Sequence, residues 1–248
     1  MYILGIETTG AFASAAVMRD DQVTGYIKGN DRFSHLQNLT PQIEKVIKES
    51  GIDLAELEEI AVSHGPGSFT GIRIGVSTAR ALSQILGTPC AAVSSLEALA
   101  LTAAPMDSGV LVCPMLDARR NQIYGGGYIL TEEGPKEEIK AGPYMLDEFM
   151  SKTENYRRIL LLGDGTDAYG ETIAEASQEK GKFTEFAPES IRYQDAVTVG
   201  RLGAKLLQEG KGLSYQELLP DYMRQAEAER KLAEKQAAEA AKQAASKK

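Results

Sequence analysis

Tryptophan is absent from this 248-residue chain, and cysteine and histidine occur only twice each. Cys90 and Cys113 both lie inside apolar, strand-like runs. That placement excludes a disulfide-stapled scaffold and reads as two reduced core residues without chemistry. His35 and His64 stand in different segments, so a histidine metal cage cannot be built and no metal is expected. No apolar run approaches the ~20 residues that cross a bilayer. Glu7 interrupts the short apolar start, and no basic segment precedes it, which argues against a secretory signal. The expectation is a cytoplasmic protein without membrane contact.

What is present is a 43% hydrophobic chain of α/β character, long enough for one large or two modest domains. Its formal charge is −8. From Arg224 to Lys248 there are seven basic and four acidic side chains, which leaves 20 basic against 31 acidic in the remainder, a net −11. An acidic body is a poor surface for a polyanion, because RNA affinity depends mainly on neutralising phosphates. The tail, rich in Ala, Glu, Lys and Gln, reads as a solvated helix or frayed end.

Apolar periodicity predicts strands at Ile3 to Glu7, Ala13 to Met18 and Val23 to Gly29, then a helix from about Ser34 that Gly51 stops. Ser34 or Asp31 can cap it. A strand at Ile60 to Ser63, a helix at Phe69 to Leu86, a strand at Cys90 to Val93 and a helix from Ser95 to Ala103 follow. The order then begins again. Val110 to Asp117 and Gln122 to Leu130 read as strands, and Ile159 to Leu162 leads through Gly163-Asp164-Gly165 into a helical stretch near Ala168 to Lys180. A helix at Ala196 to Gln208 packs back toward the first half. Each half thus opens with strands around an acidic turn and later presents a glycine turn after a buried strand, which predicts two similar lobes facing a cleft. The division falls at 1–106 and 107–220, with 221–248 as a tail.

The turn His64-Gly65-Pro66-Gly67-Ser68-Phe69-Thr70-Gly71 joins a strand to a helix N-terminus, an arrangement that can hold an anion. It carries no Walker lysine and does not match the dinucleotide fingerprint, so a tight connection without ligand is an equal reading. Glu7, Thr8 and Thr9 of the first turn and His64, Gly65, Gly67, Ser68 and Gly71 of the second form the candidate nucleotide or anion loop. Two helices carry apolar stripes: Leu36, Leu39, Ile43, Val46 and Ile47 on one, and Ile72, Val76, Ala79, Leu82 and Leu86 on the other. Gly71, Gly75 and Ala79 would let another backbone approach the second helix closely.

The segments ILGIETTGAFASAAVM, AVSHGPGSFTGIRIGVSTARALSQ, AAVSSLEALA, DARRNQIY and LPDYMR together resemble the TsaB (YeaZ) family of bacterial tRNA threonylcarbamoyladenosine biosynthesis proteins. The resemblance covers most of residues 1 to 230. It implies the actin-like, sugar-kinase-like fold of two duplicated α/β lobes with mixed sheets flanked by helices. It also implies a non-catalytic partner of the paralogous enzyme TsaD, which modifies the adenosine beside the tRNA anticodon, with the ATPase TsaE assembling on the pair and tRNA met only indirectly. The first-lobe helices would meet TsaD, or a second copy in a homodimer. His35, Gln37, Asn38, Gln42, Arg73, Ser77 and Arg80 on their flanks would decide partner choice. The chain itself would require no cofactor, with ATP or ADP at the complex interface. Ser95 and Leu99 stand where catalytic relatives carry two metal-binding histidines. Two readings compete. An autonomous phosphotransferase or ATPase would use Glu7, Asp117 and Asp164 for magnesium and water. A metallopeptidase conflicts with Ser95 and Leu99. For Asp117 and Asp164, stabilisation of the local turn is the simpler role, whereas Glu7 is the better candidate for a group near a ligand, with no role assigned to it.

Overall fold

The structure, a computed structural model, describes residues 1–31, 35–107, 109–179 and 183–223. Ser34, offered as a cap, and the charged stretch from Arg224 onward lie outside the described residues.

Two five-stranded sheets repeat one topology. In the first, β1 (Tyr2–Glu7), β2 (Ser14–Arg19), β3 (Gln22–Lys28), β4 (Glu59–Gly65) and β5 (Cys90–Ser94) lie in the order β3-β2-β1-β4-β5. In the second, β6 (Val110–Asp117), β7 (Gln122–Thr131), β8 (Gly134–Met145), β9 (Arg158–Leu162) and β10 (Phe183–Phe186) lie in the order β10-β9-β6-β7-β8. In each sheet the first three strands form an antiparallel meander, and the fourth pairs parallel with the first. Parallel pairing needs a crossover. In the first sheet α1 (His35–Glu49) supplies it, and in the second α4 (Leu146–Lys152) does. Helices α2 (Phe69–Leu86) and α5 (Gly165–Glu179) then follow the fourth strands. The mixed sheets, flanked by helices and repeated in order, are the predicted duplicated α/β architecture.

Each central strand is buried on both faces and alternates its partners. Leu4 and Ile6 meet α1 and α2 through Leu39, Ile43, Val46, Ile72 and Val76. Ile3 points the other way, with Met18, Ala61 and Val93, toward α7 (Ala196–Gln208) at Val199 and Leu202. Helix α7 therefore lies on the first sheet although it follows the second in sequence. The approach is close: a Cβ at Gly5 would collide with the Ala196 carbonyl, and one at Gly203 with Ala61. Helix α3 (Ser95–Leu101) buries Leu96 and Leu99 against Val110, Val112 and Leu162 of the second sheet, whose opposite face packs on α4 and α5 through Phe149 and Ile173. A four-residue helix, α6 (Glu189–Arg192), precedes α7.

Candidate functional site

Glu7 ends β1 fully buried, and its carboxylate folds back on its own turn. It accepts hydrogen bonds from the Thr9 amide (2.5 Å), the Thr9 hydroxyl (2.6 Å), the Gly10 amide (3.3 Å) and the Ser63 hydroxyl on neighbouring β4. Burial pushes its pKa up, and those four donors pull against the rise. Burial lowers the pKa of Lys28, and the charges of Asp195 and Glu7 act against that fall. The Glu7 carboxylate thus ties β1 to β4 and shapes the Thr8-Thr9-Gly10 turn.

The glycine turn leans on that first turn. Helix α2 starts at Phe69, and Ser68 caps it by accepting from the Gly71 amide at 3.2 Å. The Ser68 amide donates to the Thr9 carbonyl at 2.8 Å, and the Thr8 hydroxyl donates to the Gly71 carbonyl at 2.7 Å. A Cβ at Gly67 would strike the Thr9 carbonyl, and one at Gly71 the Thr8 carbonyl. Gly75 is likewise pressed by the Thr8 side chain. The small-residue stripe on α2 therefore faces the β1–β2 turn of the same chain. The backbone that approaches α2 closely is thus a turn of the chain's own first sheet. The physical reason is that the strand end and the helix start share too little space for any Cβ.

A strap from the far end of the chain closes the outer side. Residues 213–223 run back across the first sheet, where Leu213 bridges Cys90 and Leu218 enters the core. The Asp221 amide donates to the His64 carbonyl at 2.8 Å, the Leu219 carbonyl lies 3.2 Å from His64 Nδ1, and the Asp221 carbonyl fills the space at Gly65. Tyr222 then stacks on Phe69 with ring centroids 4.8 Å apart. Its hydroxyl accepts from Arg73 Nε at 2.9 Å, while the Arg73 guanidinium lies 4.0 Å from the Phe69 ring centre. Gly65, Gly67 and Gly71 thus each face a carbonyl oxygen of this chain. These contacts explain why the turn tolerates only glycine at the three positions.

The second-lobe acids are also used locally. Asp164 accepts from the Asp117 amide at 3.0 Å. Asp117 accepts from the Arg119 amide at 2.8 Å and the Tyr169 hydroxyl at 3.0 Å, and pairs with the Arg119 guanidinium at 3.5 Å. These contacts hold Arg119, Arg120 and Asn121, three consecutive residues at φ of 65°, 56° and 60°, in a turn where L residues are strained. Among the described residues no group of three or more His, Cys, Asp and Glu side chains could hold a metal. Ser95 and Leu99 are buried core positions on α3. Cys90 and Cys113 are buried free thiols whose pKa values burial raises.

The flank residues of α1 and α2 divide. His35 and Gln42, expected at a partner surface, are interior. The inward seam of α1 runs His35, Leu39, Gln42, Val46 at alternating four- and three-residue steps. It admits polar members because it meets backbone: His35 Nε2 lies 2.9 Å from the Gly10 carbonyl, and Gln42 stands against Gly29. Leu36, expected in the apolar stripe, is instead 77% exposed in the first turn of α1. Gln37, Arg73 and Ser77 are exposed, and Asn38 and Arg80 are half-buried. The outer face of α2 carries Thr70, Arg73, Ser77, Ala81 and Gln84, all exposed at helical spacing, with Ile85 beside them at 77% exposure.

Across 95% of this chain and 100% of its own length, the Bacillus subtilis tRNA threonylcarbamoyladenosine biosynthesis protein TsaB is 32% identical to it. The chain belongs to the TsaB family. The family model for TsaD, tRNA N6-adenosine threonylcarbamoyltransferase, also matches residues 32–232, as expected of related folds. The solved YeaZ from Pseudomonas aeruginosa superposes with a TM-score of 0.74 at 23% identity, covering 89% of this chain and 99% of that one. A ROK hexokinase from Thermus thermophilus superposes at 0.50 with 14% identity, covering 84% of this chain and 100% of that one. Those two likenesses show the actin-like fold shared with sugar kinases. Within this TsaB-family chain, two of the resembling segments, HGPGSFTG and LPDYMR, meet as loop and strap. Spacing alone gave no sign of that contact, because about 150 residues separate them.

Proposed function

We propose that this chain is a non-catalytic subunit of the tRNA threonylcarbamoyladenosine machinery that docks on TsaD through α1 and α2. One observation carries the reading: the outer face of α2 is exposed along Thr70, Arg73, Ser77, Ala81 and Gln84, while its inner face is fixed on the first sheet. Ser77 and Ala81 at its centre leave room for a partner helix to approach closely. Leu36 and Ile85, both 77% exposed, offer apolar anchors on the two helices. In the absence of TsaD the same face pairs two copies, and in its presence the pair forms part of the platform for TsaE.

The use of Glu7, Asp117 and Asp164 as turn ties supports a subunit that contributes no reacting group. The carbonyl-lined glycine turn supports the same division of labour: ATP or ADP in the complex is held on the TsaD side, and so is the tRNA, away from an acidic body. Threonylcarbamoylation of tRNA is to be reconstituted from TsaD, TsaE and the enzyme that makes threonylcarbamoyl-adenylate, with and without this chain. Modification only when the chain is added is the expected result. Equal rates without it contradict the reading, as does ATP hydrolysis by the isolated chain that Glu7→Gln abolishes.

A further inference from the structure

Arg73 is the most constrained exposed cation on the outer face of α2. Its guanidinium lies 4.0 Å from the Phe69 ring centre and 5.6 Å from that of Tyr222, and its Nε donates to the Tyr222 hydroxyl at 2.9 Å. Among the described residues no carboxylate pairs with it, although the chain carries 35 acidic side chains. The Phe69 ring centre lies 4.0 Å from the guanidinium carbon and the Tyr222 hydroxyl takes the Nε hydrogen. They leave the fork of Nη donors, which matches a carboxylate in geometry.

An exposed arginine ordinarily loses side-chain freedom when a partner immobilises it, which opposes binding. Here folding of the 213–223 strap has already fixed the side chain. The position also fits an interface: Arg73 lies one turn from Thr70 and Ser77 on the α2 face, so a helix packed over Ser77 and Ala81 runs past the guanidinium.

We propose that Arg73 is a preorganised anchor that receives a carboxylate side chain from the docked partner subunit, and that Tyr222 of the strap is the residue that aims it. The proposal rests on the docking of α1 and α2 given above. It adds the chemistry of the contact and gives the LPDYMR segment a role in recognition as well as in folding.

The test is the dissociation constant of the complex with TsaD for the full chain and for Arg73→Ala, Arg73→Lys and Tyr222→Phe. It is measured at low and high salt, with and without ATP. Arg73→Ala is expected to weaken binding by about tenfold or more and to flatten its salt dependence. Arg73→Lys keeps the charge but loses the fork and recovers only part of the affinity. Tyr222→Phe keeps the stacking, loses the aiming hydrogen bond and weakens binding by a few-fold. Unchanged melting temperatures for Arg73→Ala and Tyr222→Phe separate these effects from misfolding. A complex whose affinity and salt dependence ignore Arg73→Ala overturns the anchor and leaves docking intact. An Arg73 effect that appears only with ATP assigns the anion to nucleotide phosphate and also overturns it. No complex with the unmodified chain removes docking and the anchor together.

Discussion

Glu7 shows how one buried carboxylate can tie a turn to a neighbouring strand. Replacing it by alanine strands the Thr9 and Gly10 amides and the Ser63 hydroxyl in the interior, at about 1–3 kcal/mol for each unsatisfied group. Urea unfolding is therefore expected to show a loss of at least about 3 kcal/mol for Glu7→Ala, and a much smaller change for Glu7→Gln, which keeps one acceptor oxygen. The raised pKa fixes the pH dependence. A carboxyl whose folded pKa lies above its ordinary 4.5 is most favourable to the fold while protonated. Its contribution is full below 4.5, falls as pH rises through the folded pKa, and is level above it. Unfolding free energies of the parent relative to Glu7→Gln should trace that descent; a flat difference would refute it. Gly67 and Gly71 belong to the same scale. A side chain at either meets a backbone carbonyl, so Gly71→Ala is expected to cost at least about 1–3 kcal/mol by overpacking. The loss should appear in thermal melts before any effect on complex formation. The sequence marks these residues as special and leaves an anion site and a tight connection as equal readings; only the fold shows that Thr8, Thr9 and Asp221 press on the glycines. His35 and Gln42 were misplaced for a related reason, since polarity suggested a surface where the seam in fact meets backbone carbonyl and glycine.

Among the elements, the strongly patterned ones were legible. Helix α2 begins and ends where its Ser68 cap and the left-handed Gly87 at φ 70° place it, and α7 was placed at the observed bounds. Strand β8 was missed, because Gly134–Met145 carries two prolines and a run of exposed charges, which is how an edge strand protects itself and also how a loop reads. Strand β10, four residues long, gives too little pattern to detect. The strap was the largest omission. Its motif was visible, but its place against His64, Gly65 and Arg73 depends on contacts about 150 residues apart. Leu218 is fully buried in the first core, so Leu218→Ala should cost about 2–5 kcal/mol. Chemical denaturation followed near the Tyr222 and Phe69 contact is the direct check. A loss well under 1 kcal/mol would show the strap to be loosely applied.

At the scale of the molecule, the repeated strand order explains why the two acidic turns and two glycine turns recur, and why their roles are parallel: Glu7 binds across to Ser63, and Asp164 binds across to Asp117. Periodicity made that duplication readable even though residue identity between the halves is low. The net −11 of residues 1–223 sets a further expectation. The isolated chain should bind tRNA no more tightly than about 10⁻⁴ M at physiological salt, the weak end of non-specific affinity. Filter binding that finds micromolar affinity would show that the chain handles tRNA directly. The proposed docking of one helical face of this chain on TsaD has a direct consequence for the mass of the species in solution. Size-exclusion chromatography with light scattering, on the chain alone and mixed with TsaD of the same organism, tests it most directly. The account predicts a mixed complex that forms as any homodimer disappears and that Ile85→Asp weakens. Separate elution of the two proteins at micromolar concentrations, with and without ATP, would contradict it.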